Sequence, residues 1–192
     1  MERLPEHARI GDLHLDRWTP NDVDVLAAAI AENLEHLRPR MAWIAHEPLP
    51  REARVRLEEQ WDEAWAAGGD CVYAIRIDGA VVGSAGLHRR LGPGGLEIGY
   101  WVGHRHEGRG IATAASRALT DLAFTVADID RVEIHHDVTN LASRRVPEKL
   151  GFTRLPDIPG AARAQAPADC GTDAVWQVTR SAWAELGAVA RT

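Results

Sequence analysis

The stretch between Leu96 and Val138 constrains this chain more than any other. Leu96-Glu-Ile-Gly-Tyr-Trp-Val is a short β-rich run, and residues 103–110 break it with Gly103, Gly108 and Gly110. From Ile111 the pattern turns helical, with Ile111, Ala115, Ala118, Leu119 and Leu122 on one stripe. Arg131-Val-Glu-Ile-His-His-Asp-Val then reads as the next strand. Such a β-α-β unit places its two strands side by side and parallel, joined by a right-handed crossover. The strand–glycine loop–helix order also suits anions. The first amides of a helix lack intrahelical acceptors and the macrodipole adds about half a positive charge, so backbone alone can hold a phosphate. Gly108 and Gly110 permit close approach, while Arg105 and Arg109, with His104 and His106, supply a local positive field. That field has to be local. With 22 basic against 28 acidic residues the net charge is -6, the wrong sign for a broad nucleic-acid-binding face. A solvated loop with glycines for turning is the plainer reading of the same residues.

The remaining elements build around this unit. Residues 10–18 alternate as a strand, and Thr19-Pro20-Asn21-Asp22 supplies a hydroxyl cap, a first-turn proline and a first-turn acid for a helix. Leu26, Ile30, Leu34 and Leu37 form its apolar stripe before Pro39 stops it. A second helix is expected from about Arg51 to Gly68-Gly69, with Leu57, Trp61 and Trp65 facing the core. Cys71-Val-Tyr-Ala-Ile-Arg-Ile and Val81-Val-Gly-Ser-Ala-Gly-Leu, joined through Asp78-Gly79, form an antiparallel hairpin that the run at Leu96 extends. Thr139 or Asn140 caps a short helix that Gly151 ends. Within it Pro147 removes a donor, frees the Ser143 carbonyl and predicts a kink. Residues 152–155 and 175–180 are the last strands, with Trp183 in a terminal turn. Residues 156–172, rich in Ala, Pro and Gly, form a long loop that is functional, an oligomer contact or mobile. The expected fold class is α/β (α+β): a mixed, mostly antiparallel sheet of six to seven strands flanked by helices, as one domain over residues 1–192.

Several function classes drop out. No apolar stretch approaches the roughly 20 residues of a membrane helix, and the N-terminal residues show no secretory pattern. Two cysteines, Cys71 and Cys170, offer neither a disulfide framework nor metal-ligand spacing, which points to a reducing cytoplasm. A dinucleotide fold fails on placement. Asp128 follows Gly108 by 20 residues, but Asp128 and Asp130 precede the strand instead of ending it, and Thr113 replaces the third glycine. No Gly-Lys-Ser/Thr follows the loop, so a phosphate-loop NTPase fails too.

Glu97-Ile-Gly-Tyr-Trp-Val, Gly108-Arg-Gly-Ile-Ala-Thr and Asn140-Leu-Ala-Ser-Arg-Arg-Val-Pro-Glu-Lys-Leu-Gly-Phe152, in that order, resemble the GNAT acyltransferases, specifically the RimJ/RimL-like branch named for ribosomal-protein N-terminal acetylation. Asn33-Leu-Glu-His-Leu-Arg-Pro-Arg-Met-Ala-Trp43 is similar to that branch as well, so the likeness covers nearly the whole chain. The resemblance implies a GNAT fold whose sheet splays between about 96–102 and 131–138 around acetyl-CoA. The cofactor's pyrophosphate would lie on the amides of Gly108, Arg109, Gly110, Ile111, Ala112 and Thr113, with Gly103 and Arg105 leading into the loop. It further implies direct acetyl transfer to a primary amine, on a peptide or protein N-terminus or a small molecule. One departure is Glu107, where the family's loop usually starts with Gln or Arg; a carboxylate there repels phosphate unless it turns outward or pairs.

Acyl transfer from a thioester to an amine needs a route for the ammonium proton, donors for a developing oxyanion and a proton for the leaving thiolate. Glu97, an acid among Leu96, Ile98 and Tyr100, is the candidate general base, acting through a water, since burial favours the protonated form of a carboxyl. It is equally a strand carboxylate that could pair with His88 or an arginine. For Asn140 and Ser143 the resemblance implies cofactor contact and thiolate protonation, although both residue types also suit a helix start. A backbone N–H near Trp101 or Val102 is the expected oxyanion donor, and the family places the Trp43 segment near the acceptor. His135 and His136 point to opposite faces of their strand and cannot share a metal, and His104-x-His106 lacks further ligands, so no metal is expected. Cys71 and Cys170 lie outside the expected site, which favours direct transfer over a covalent enzyme intermediate. Two alternatives stay open: an acyl-CoA-binding module without turnover, and transfer of another acyl group such as succinyl. Neither nucleic acid nor membrane is an expected partner, and a homodimer is one option for assembly.

Overall fold

The computed structural model describes residues 1–160 and 166–189. Its sheet begins with a hairpin where a single strand was expected. β1 (His7–Ile10) and β2 (Leu13–Arg17) pair antiparallel because Gly11, at φ +56°, reverses the chain within two residues. β3 (Cys71–Ile77) and β4 (Ala80–His88) follow, joined by the expected turn with Asp78 at φ +50° and Gly79 at φ +78°. β5 (Gly95–Val102) completes the meander and then runs parallel to β6 (Arg131–Asp137) through the crossover helix α3 (Ile111–Ala123). β9 (Thr172–Thr179) pairs antiparallel with β6, and the two-residue strands β7 (Thr153–Arg154) and β8 (Ile158–Pro159) lie along β9. The described sheet thus has nine strands in the order β1-β2-β3-β4-β5-β6-β9-β7, with β8 on β9. β8 falls inside the segment expected to be a loop; residues 161–165 of that segment lie outside the described residues. The chain after Thr179 is a helix, α5 (Arg180–Val189), in place of a terminal turn.

Strand alternation gives the sheet two apolar faces and therefore two cores. On one face Leu15, Tyr73, Ile75, Leu87, Leu96, Ile98, Val132 and Ile134 meet the stripe of α3, all five of whose expected positions are buried, and the helix α4 (Leu141–Leu150). On the other, Trp18, Ala74 and Trp101 meet Leu26, Ile30 and Leu37 of α1 (Val23–Leu37) together with Ile44. Thr19 and Asp22 form the capping box that starts the α1 segment, in a short 3-10 turn over Pro20–Asp22.

The second helix, α2 (Arg51–Ala66), buries a different stripe from the one its apolar residues suggest. Leu57, Trp61 and Trp65 are only half-buried, whereas Arg54 and Glu58 are almost wholly covered. The apolar residues flank a polar ridge: Arg54 is paired with Glu47, while both Glu58 oxygens have no hydrogen-bond partner. Trp65 does structural work through its polar atom, donating to the Leu4 carbonyl at 2.7 Å, with the Arg17 guanidinium 3.9 Å over its ring.

Candidate active site

The parallel pair opens. β5 and β6 are in register from Gly95↔Arg131 to Ile98↔Ile134 and part there, although β5 continues to Val102 and β6 to Asp137. β5 stays on β4 up to Gly83↔Val102, so β6 is the strand that leaves. Gly103 N–H donates to Val82 O at 2.8 Å. Alternation along β5 then turns the N–H groups of Tyr100 and Val102 into the opening and that of Trp101 toward β4. Of the two expected oxyanion donors, Val102 therefore faces the gap, joined by Tyr100, while the Trp101 ring is packed in the second core.

Just beyond β5 the glycine loop is gripped by α1. Asn33 Oδ1 accepts from the His104 N–H at 2.9 Å and lies 3.0 Å from its Nδ1, His36 Nε2 lies 3.2 Å from Val102 O, and Arg105 pairs with Glu32 at 2.6 Å. Asn33 is a polar residue on the apolar stripe of α1, one turn from both Ile30 and Leu37, and that was the sequence signal for this latch. Glu107 turns outward and sits 3.6 Å from His36, which removes much of its conflict with a phosphate. Gly108 and Gly110 adopt φ +72° and +77°, the left-handed region that favours glycine. A Cβ built at either would meet nothing within 4 Å, so the space their missing side chains leave is not used by the protein. Gly110 is the N-cap of α3, no side chain caps that turn, and the first intrahelical bond runs from Ala114 N–H to Gly110 O. The amides of Ile111, Ala112 and Thr113 thus face the same open space, and this cradle fits a diphosphate. Arg109 is exposed at its edge.

Across the opening, Asn140 caps α4 by accepting the Ser143 N–H at 3.1 Å. α4 runs through Pro147 as one helix, and the Ser143 carbonyl that this proline frees is taken by the Tyr100 hydroxyl at 3.2 Å. Burial pushes the Tyr100 phenol well above its ordinary range, so it remains a donor. The bond ties β5 to α4 beside the gap.

Glu97, Trp101, Glu133, His135 and Asp137 belong to the face opposite α3. Glu97 is buried and accepts two hydrogen bonds from Arg90, both at 2.8 Å, which realises the arginine pairing foreseen as its structural role. Next to it, His135 lies 3.8 Å from Glu97 through Nδ1 and 2.6 Å from Glu133 through Nε2, and Gln177 donates to the other Glu133 oxygen at 2.8 Å. His136 points the other way, toward Trp176, as alternation requires. Trp43 lies exposed in a 3-10 turn over Ala42–His46, anchored by the fully buried Ile44. Arg40, just before it, donates to Thr139 Oγ1 at 2.8 Å and to Ala168 O at 3.2 Å, bringing this turn to the rim of β6. The Asp137 carboxylate collects Thr139 and the amides of Cys170 and Gly171, which fastens the end of the long loop to the same rim. Cys71 is buried and its thiol is pushed up to about 12 by burial, so it holds no nucleophile. Among the described residues no group of three or more His, Cys, Asp and Glu is placed to hold a metal, and no helix is long and apolar enough to cross a membrane.

A family model for the acetyltransferase (GNAT) domain matches residues 12–153. The chain is 33% identical over 140 residues to the "Putative ribosomal N-acetyltransferase YdaF" of Bacillus subtilis, covering 69% of this chain and 73% of that protein. In structure it is similar to a RimL ribosomal-protein alpha-N-acetyltransferase in complex with coenzyme A, with TM-score 0.80, 20% identity and 94% and 99% of the two chains covered. A "Probable acetyltransferase" superposes with TM-score 0.79 at 26% identity over 92% and 98%, and Mycobacterium smegmatis RimJ with 0.76 at 21% over 96% and 93%. The expected mixed sheet, its opening between β5 and β6 and the match over most of its length agree, and the chain belongs to the GNAT acetyltransferase family.

Proposed function

We propose that this acetyltransferase moves an acetyl group from acetyl-CoA directly to the α-amine of a peptide or protein N-terminus, with small primary amines as the wider acceptor class. The observation that carries the donor is the uncapped start of α3, whose Gly108 and Gly110 leave open space beside parting strands. Relatives with coenzyme A or acetyl-CoA bound, and YdaF with its ribosomal name, support donor and acceptor respectively.

In this reading acetyl-CoA, when bound, supplies an activated thioester. Gly103 and Arg105 shape the loop that receives the diphosphate, and Arg109 adds charge at its edge. The Val102 amide, with that of Tyr100, faces the place where a carbonyl oxygen gathers negative charge. Trp101 and Trp43 shape the acceptor side, Asn140 positions the start of α4, and Ser143 is the hydroxyl that gives a proton to the departing sulfur. Glu97 stands among the charged groups on the amine's side. Residues 1–192 act as one catalytic domain. A binding module without turnover is the second reading, favoured by one observation: Arg90 occupies the Glu97 carboxylate. Mixing the protein with acetyl-CoA and a panel of amines that includes a serine-initiated peptide separates them, because free thiol should appear with at least one acceptor. CoA binding without thiol release for any of them would reject transfer and leave the module.

A further inference from the structure

Two carboxylates and one imidazole meet where β6 leaves β5. Ile134 is the last residue of β6 in register with β5, so His135 is the first residue of β6 beyond the paired region, and its side chain lies on the face opposite α3. Glu97, Trp101 and His135 share that face, while the diphosphate cradle opens at the α3 side. The imidazole is oriented by its own strand. Nε2 is 2.6 Å from Glu133 Oε2, and Glu133 is itself fixed by Gln177 at 2.8 Å and by Arg131 at 3.5 Å. Burial alone would raise the Glu133 carboxyl, but the bonds from His135 and Gln177 and the charges of His135 and Arg131 outweigh it and hold the group below the usual carboxylate range. An ionised carboxylate only accepts, so the shared hydrogen belongs to Nε2, and in the neutral ring the lone pair is then on Nδ1. Nδ1 lies 3.8 Å from Glu97, outside hydrogen-bond reach, and Glu97 already accepts two bonds from Arg90. Among the described residues, the charged groups recorded around His135 are Glu97 with Arg90 and Glu133 with Arg131, so each carboxylate is countered by a guanidinium.

We propose that His135, held by Glu133, is the group that takes the proton from the acceptor's ammonium, with Arg90-bound Glu97 a fixed anion that positions the cationic amine. The inference rests on the acetyl-transfer reading above. Its step balances: the ammonium loses one proton to Nδ1, and the freed nitrogen pair forms the C–N bond as the C–S bond breaks. The second nitrogen proton ends on the sulfur, and the imidazolium returns its own to solvent. An oriented imidazole in this role contributes about 10²–10⁴-fold to rate.

The test compares wild type, His135→Gln and Glu133→Gln with acetyl-CoA and the best acceptor of the amine panel, following thiol release against pH and CoA affinity by calorimetry. His135→Gln should lower kcat at least ~100-fold at unchanged CoA affinity and lose the acid limb of the pH profile; Glu133→Gln should fall between. Wild-type turnover with an undiminished His135→Gln overturns this inference alone. Absence of wild-type turnover with every acceptor overturns the acetyl-transfer reading and takes the inference with it. Should His135→Gln not fold, long-range ¹H–¹⁵N spectra of the unaltered protein decide: Nε2-protonated His135 supports the assignment, and an Nδ1-protonated ring overturns it.

Discussion

Gly110 combines φ +77° with empty space at its missing Cβ, so two effects of a side chain can be separated there. Gly110→Ala costs the folded protein roughly 1–2 kcal/mol of left-handed strain and clashes with no protein atom. Any larger loss must fall on a ligand. Gly110→Val should weaken CoA binding at least ~10-fold in calorimetry beyond what its lower stability explains, and normal binding would remove the loop from the cofactor site. Glu58 offers the opposite case, a buried acid without partners. Burial raises it to about 7, Asp22 and Asp24 add to this, and Arg54 opposes. A carboxyl whose folded value lies above its unfolded value of 4.5 penalises the fold only once the unfolded chain ionises. Stability therefore falls as pH rises from about 4.5 through 7 and stays lower above. Glu58→Gln should stabilise by roughly 1–3 kcal/mol at pH 8 and by almost nothing at pH 4, read from urea midpoints at both. An equal shift at the two pH values would mean Glu58 is solvated. The acidic residue was plain in the sequence; its lack of partners was not, because partnership is decided by what α1 and the sheet bring to that side of α2.

Between elements, the site is assembled by bonds that cross from one to another. Pro147 lets the Ser143 carbonyl go, and Tyr100 of β5 takes it. Tyr100→Phe should cost about 1–2 kcal/mol in a wild-type background and clearly less with Pro147→Ala, which restores the helical donor. Additive costs in that double-mutant cycle would dissolve the link. α1 performs the matching task on the other side, where replacing the buried Asn33 in Asn33→Ala takes away the acceptor of the His104 amide. Faster hydrogen exchange at His104 and weaker CoA binding are expected together; faster exchange with intact binding would show that the latch is structural only. Periodicity placed α1, α3 and the β3–β4 hairpin well, since each has a long one-sided stripe or a two-residue turn with its own chemistry. It misplaced the buried side of α2, because Leu57, Trp61 and Trp65 can lie along a margin while an ion pair occupies the interior.

Taken whole, the molecule joins distant segments at the end of β6. Asp137 collects Thr139, Cys170 and Gly171, and Arg40 reaches Thr139 and Ala168 from the end of α1. Burial pushes the Asp137 carboxyl up, but these hydrogen bonds prevail and lower it far below its ordinary range, so its contribution is present at neutral pH and is lost as pH falls. Asp137→Ala should lower stability by about 1–3 kcal/mol at pH 7 and by progressively less below pH 4. A constant difference across that range would deny the carboxylate its charge.

Local chemistry was enough to specify the β-α-β unit, the open glycine start of α3 and the capping of α4, because each depends on residues close in sequence and on fixed strand and helix periods; the family was legible in the order of its motifs. The opening between β5 and β6 agrees with the family's shape, but which amides face it follows from the β4 ladder. The pairing of Glu97 with Arg90, the grip of Asn33 on the loop and the meeting of His135 with Glu97 depend on side chains brought together from separate elements. No period within the chain encodes those distances; packing of both sheet faces sets them.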